Sequence, residues 1–138
     1  MLTVVRFAVP AQESPGASAA AVDEITAQVA EAAAVLARQP GWVRSEVARS
    51  LDVTDEGTAY VTLIAEFASV GDYRRALGAM DVRLAVVPVL YRAVDEPTAY
   101  ETLAVIEPGG IQWCTGDLDP AHGEAGVGRP SPPAPPVG

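Results

Sequence analysis

A phenol, a guanidinium and an indole are the groups along this chain whose types and surroundings could do chemistry. Tyr73 falls at helical spacing with Ala76 and Leu77. Its hydroxyl could donate to a substrate oxygen or an oxygen-derived species, or the ring could serve core packing with the hydroxyl reaching a partner. Arg6 is a charge in the middle of an apolar run, between Val5 and Phe7. A guanidinium placed there calls for a carboxylate, which Glu66 or Glu46 could provide across a sheet; its other use would be to stabilise a substrate enolate. Trp42 follows Pro40 and Gly41, at a strand start where an indole covers the end of a core or roofs a pocket.

Other constellations carry less. Cys114 is the only cysteine and His122 the only histidine, which excludes an internal disulfide and a cysteine-based zinc cage. A nucleophile and base pair drawn from these two would sit in a flexible segment without preorganisation. Adjacent carboxylates point apart, so Asp95 and Glu96 before Pro97 read as a turn rather than an acid/base pair. Arg74 and Arg75, with Asp72 beside them, form a solvated helix face. Tyr60 and Tyr100 fall on partly polar strand faces that suit a dimer seam or solvent.

The elements that would position these groups follow from changes in hydrophobic period. Leu2–Val9 is short, rich in β-branched residues and closed by Pro10, a first strand. From about Ser18 to Arg38, Val22, Ile25, Val29, Ala32, Ala33 and Leu36 recur at three- and four-residue steps, an amphipathic helix ended by Pro40 and Gly41. Trp42–Leu51 and Ala59–Phe67 alternate around the turn cluster of residues 52–57, predicting a hairpin. Ser69 and Asp72 give a capping signal for a second helix through Tyr73, Ala76, Leu77 and Met80. A short helical piece from Asp81 to Val86 meets Pro88, and Thr98–Ile106 reads as the fourth strand. The order βαββαβ predicts an α+β, ferredoxin-like sandwich with both helices on one side of the sheet. The uncovered sheet face implies a homodimer.

Length and composition bound the rest. A chain of 138 residues holds one well-buried core. From Glu107 to Gly138 there are 7 Pro and 7 Gly, so the expected organisation is a domain over 1–106 and a disordered tail over 107–138, with Ile111 and Trp113 as its docking-prone exceptions. The formal charge is −9, and all 9 basic residues are Arg. Such an acidic surface makes nucleic acid and anionic membrane poor partners. No apolar run approaches the roughly 18 to 20 residues of a membrane helix, and the start of the chain is unlike a signal peptide. The expected location is cytoplasmic.

Three strings resemble the antibiotic biosynthesis monooxygenase family of the dimeric α/β barrel superfamily: LTVVRFAVP, QPGWVRSEVARSLD and VTLIAEFASVGDYRRAL. The last carries most of the likeness, with Phe67 ending a strand, Ser69 opening a helix and Tyr73 one turn along it. The resemblance spans about residues 2–106 and implies a dimeric α/β barrel with a pocket between sheet and helices. It implies oxidation of a polyketide- or quinone-like aromatic by O2 with no metal or flavin cofactor. The site residues are then Tyr73 and Arg6 as catalytic groups, with Trp42, Phe67, Leu77 and Tyr91 contacting substrate. A haem-degrading branch uses an Asn on strand one, a Trp at the end of strand three and a His on helix two, and this chain has none of them at those places. A non-catalytic binding or accessory protein of the same fold is the alternative, since no core histidine supplies a base near neutral pH. An isomerase or cyclase of polyketide-like intermediates is a third.

Overall fold

The computed structural model describes residues 1–114. Met1–Tyr100 form one compact unit, and Glu101 opens a second. β1 (Leu2–Val9) alternates strictly: Thr3, Val5, Phe7 and Val9 are buried, whereas Leu2, Val4, Arg6 and Ala8 point to the other side. Ser14 caps α1 (Pro15–Leu36), its Oγ accepting the Ala17 N–H at 3.1 Å. Pro15 fits the first turn because no intrahelical partner awaits an N–H there. The helix thus starts earlier than its apolar repeat, which begins to bury only at Val22 and continues through Val29, Ala32, Ala33 and Leu36.

β2 (Trp42–Arg49) and β3 (Ala59–Phe67) form the expected hairpin. Gly41 precedes it with φ +87°, and a Cβ there would lie 2.5 Å from Asp72 Cβ. Only glycine accommodates both that conformation and that approach. Beyond β3 come α2 (Val70–Gly78), α3 (Met80–Ala85) and α4 (Val87–Leu90). Ser69 Oγ caps α2 by accepting the Asp72 N–H at 3.0 Å. Two details depart from the sequence reading. Met80 opens α3 and is exposed instead of extending the face of Tyr73 and Leu77, and although α3 ends at Ala85 with Val86 as its cap, ahead of Pro88 as read, Pro88 then sits in the first turn of a further short helix, α4.

The sheet order is β2-β3-β1-β4, every pair antiparallel, which is the ferredoxin-like arrangement with β3 inserted between β2 and β1. Its fourth strand is shorter than expected: β4 is Ala99–Tyr100, paired with Thr3 and Leu2. Pro97 has no N–H to give the ladder. The chain still runs beside β1, since the Val4 N–H donates to Thr98 O and the Val94 N–H to Arg6 O, at 2.7 and 2.8 Å. In the second unit, β5 (Ala104–Glu107) and β6 (Gly110–Trp113) form a hairpin around Pro108 and Gly109. Glu107 and residues 110–113 are therefore strand where a disordered tail was expected, and residues 115–138 of that tail lie outside the described residues.

Two clusters fill the space between sheet and helices. One gathers Met1, Leu36, Phe67, Tyr73, Val82 and Val86 at the end of the sheet where β3 finishes. The other gathers Val5, Phe7, Val22, Val29, Val61 and Leu63 towards the opposite end.

Candidate functional site

Four of the six predicted site residues meet at the first cluster. Phe67 closes β3 and is buried; Ser69 then starts α2, and the first turn brings Tyr73 back onto Phe67. Their rings pack edge to face, centroids 5.5 Å apart at 61°, the arrangement the aromatic quadrupoles favour. Trp42 lies opposite Phe67 across the β2–β3 ladder and, with Leu77, packs against the same cluster while half-buried. The Trp42 indole N–H donates to Ser45 Oγ at 2.7 Å, which fixes the ring plane.

Tyr73 is 7% exposed. Its hydroxyl makes no hydrogen bond among the described residues, and no fully buried side-chain oxygen or nitrogen there lacks one. The phenol oxygen is therefore not sealed from solvent, while the ring is packed against Phe67. The cap that positions it is electrostatically tuned: the Arg75 guanidinium, 2.6 Å away, together with the Ser69 hydroxyl, holds the Asp72 carboxyl below the usual carboxylate range.

Arg6 and Tyr91 do not join this group. Tyr91 follows α4 and is 85% exposed. Arg6 projects from the other side of the sheet, and its partner is neither of the carboxylates expected from the sequence. Glu96 takes it in a bidentate pair, Nε to Oε1 at 2.7 Å and Nη2 to Oε2 at 3.1 Å. Register explains the correction. Arg6 is opposite Thr62 while Glu66 is opposite Leu2, four residues or about 13 Å along the strand, and Glu46 is held by Arg44 at 2.5 Å. Continuing the pairing of Leu2 with Tyr100 and Thr3 with Ala99 by three more residues on each chain sets Glu96 across from Arg6. The guanidinium also lies 4.6 Å over the Tyr60 ring. The hydrogen bond to Glu96 raises the Arg6 pKa further above its ordinary value. That signal was present in the sequence as an acidic residue just before a strand antiparallel to β1; reading residues 95–97 only as a turn concealed it.

Among the described residues no group of three or more His, Cys, Asp or Glu side chains is placed to hold a metal ion, and no helix is long and apolar enough to cross a membrane. Of the Cys114 and His122 pair, His122 lies outside the described residues.

The fold and this helix-side cluster define a ferredoxin-like α+β protein with an aromatic corner at the end of β3. The chain is similar to two structures of SnoaB, a cofactor-independent oxygenase from Streptomyces nogalater, one of them a point variant. The identities are 28% and 24%; each alignment covers 74% of this chain and 95% of the other at a TM-score of 0.44. It is also similar to a candidate antibiotic biosynthesis monooxygenase from Deinococcus radiodurans, at 19% identity, 78% and 97% coverage and a TM-score of 0.44. At these TM-scores the likenesses assign no reaction to this chain. No family model matches it, and no curated protein does so significantly.

Proposed function

We propose that this chain is a cofactor-independent monooxygenase that oxidises an aromatic, polyketide- or quinone-like small molecule with O2 and acts as a homodimer. The observation that carries the reading is Tyr73: a phenol oxygen presented at the margin of an apolar, aromatic corner built from Phe67, Trp42 and Leu77. The resemblance of the strings around Phe67, Ser69 and Tyr73 to the monooxygenase family agrees with it.

Such a reaction asks little covalent chemistry of the protein. An ionised phenol or enolate passes one electron to O2, and the radical pair combines at carbon to give a hydroperoxide. Loss of water then leaves a carbonyl, so one oxygen atom stays in the product and the other departs in water. The corner supplies an apolar seat for the ring and a hydroxyl to hydrogen-bond the substrate oxygen as charge develops. Arg6, neutralised by Glu96 on the other sheet face, acts in this scheme only on a substrate or seam reaching that face.

The test is oxygen uptake with an anthrone-type substrate, comparing the wild type with Tyr73→Phe. A fall in kcat of roughly tenfold to a hundredfold, with the fold intact, is expected from loss of one positioned proton donor. Unchanged turnover removes Tyr73 from the mechanism. The second reading, a non-catalytic dimeric binding protein, draws on that same Arg6–Glu96 pairing, which leaves the Arg6 charge already neutralised rather than free to stabilise an enolate. It predicts that the aromatic compound is retained without oxygen uptake.

A further inference from the structure

A second cleft opens at the other end of the sheet, where nothing in the proposed reaction is placed. It spans about 350 Å³, near the lower limit of small-molecule sites at ~300–1,000 Å³. Ala59 in its wall and Phe67 in the aromatic corner stand at opposite ends of β3, about 26 Å apart along the strand.

Every polar side chain of the lining can donate a hydrogen bond. Arg49 is its only charged residue. It ends β2 opposite Val61, a buried residue, so its side chain points to the helix-covered side of the sheet at the place where that cover runs out. Arg49 makes no ion pair or hydrogen bond among the described residues, whereas Arg6, Arg38, Arg44 and Arg75 all pair with carboxylates. Ser18 and Ser50 line the cleft beside it. Each serine oxygen already accepts a backbone N–H, from Gln12 at 2.8 Å and from Tyr60 at 3.0 Å. Each hydroxyl proton is thereby left to donate.

The remaining wall is apolar. Val9 and Val22 lie at its base, and Leu51 and Val53 stand on the rim in solvent, Leu51 at 99% exposure. Exposed large aliphatic side chains beside an unpaired guanidinium are what a ligand with an apolar body and an anionic end would cover. In a chain of net charge −9, a cleft whose only formally charged lining residue is an arginine disfavours cations and favours an anionic group locally.

We infer that this cleft binds a small organic carboxylate, with the carboxylate on Arg49, Ser18 and Ser50 and an apolar body against Leu51 and Val53. The inference stands apart from the oxygenase reading and does not depend on it. Naphthalene-2-carboxylate is the probe, titrated into the full-length protein by calorimetry and followed by amide chemical shifts, with the neutral carboxamide as the control ligand. The expected result is saturable binding with shifts at Ser18, Arg49, Ser50 and Leu51, and carboxamide binding weaker by about tenfold or more. Arg49→Gln should reduce carboxylate affinity by about the same factor and leave the carboxamide unchanged. Arg83→Gln, which removes another exposed arginine with no carboxylate partner, should change neither. Absence of binding, equal loss in the two arginine variants, or full affinity in Arg49→Gln would each overturn the inference. An unchanged melting temperature in Arg49→Gln confirms that the variant is folded, and Leu51→Ser gives an independent check by weakening both ligands together.

Discussion

The two sides of one sheet obey different rules in this protein. On the helix-covered side, β1 and β3 send in Val5, Phe7, Val9, Val61, Leu63, Ala65 and Phe67, all buried, and the residues that could do chemistry are held by packing. On the other side the same strands present Leu2, Val4, Arg6, Tyr60, Thr62, Ile64 and Glu66, and no element of residues 1–100 forms a second layer over them. There the ordering agent is charge: Arg6 bridges to Glu96 and lies over Tyr60, and Arg44 pairs with Glu46. A period-two strand thus builds two surfaces from alternate residues. One specifies the fold, and the other is left free to specify a partner.

Breaking the packed side should cost most. Phe67 is fully buried at the junction of β3, α2 and Trp42, so Phe67→Ala should lower unfolding free energy by about 3–5 kcal/mol, measured by urea denaturation. A loss below about 1 kcal/mol would show that the corner is loosely packed and that Tyr73 is not fixed by it. The open side should respond through assembly. Under the homodimer reading, Val4→Lys replaces an aliphatic contact worth about 2 kcal/mol per protomer with a charge. Sedimentation should then show a folded monomer where the wild type is a dimer. A wild type that sediments as a monomer would remove the second copy from the proposal. Glu96→Gln comes next, with a small fall in melting temperature that shrinks as salt is raised, because a half-exposed ion pair is screened.

The same contrast governs how much could be read from the sequence. The helix-side residues announce themselves: the three- and four-residue repeat of α1 and the clean alternation of β3 both require one buried face, and both elements formed. Phe67, Tyr73 and Leu77 were legible together because a strand end, a serine cap and one helical turn lie within a dozen residues, and Trp42 joins them through the β2–β3 ladder. Part of what failed depended on partners distant in sequence, and part on a local hairpin. The run from Thr98 to Ile106 has strand propensity, but propensity names no partner; Pro97 truncates its ladder with β1, and residues 104–107 pair instead with 110–113. Pro108 and Gly109 between two apolar runs were a hairpin signal, outweighed by the Pro and Gly content of the whole segment. Glu96 was missed because its partner is distant in sequence, since only the β1–β4 register brings it to Arg6.

The smallest expected effect tests whether the charge on the packed side is structural in the way the pairs on the open side are. Asp72 lies in the first turn of α2, against Gly41, beside Arg75 and under the Ser69 hydroxyl. Its folded pKa is depressed below the ordinary 3.8, chiefly by the hydrogen bond from Arg75. The sign follows from linkage: a depressed carboxylate contributes stability that is fully present above its unfolded value and is lost as pH falls through the lowered folded value. At neutral pH, Asp72→Asn should therefore melt slightly below the wild type, and the gap should close on acidification below about pH 4. A gap that persists unchanged at pH 3 would mean that Asp72 acts through its shape against Gly41 rather than its charge. In that case the placement of Tyr73 would rest on packing alone.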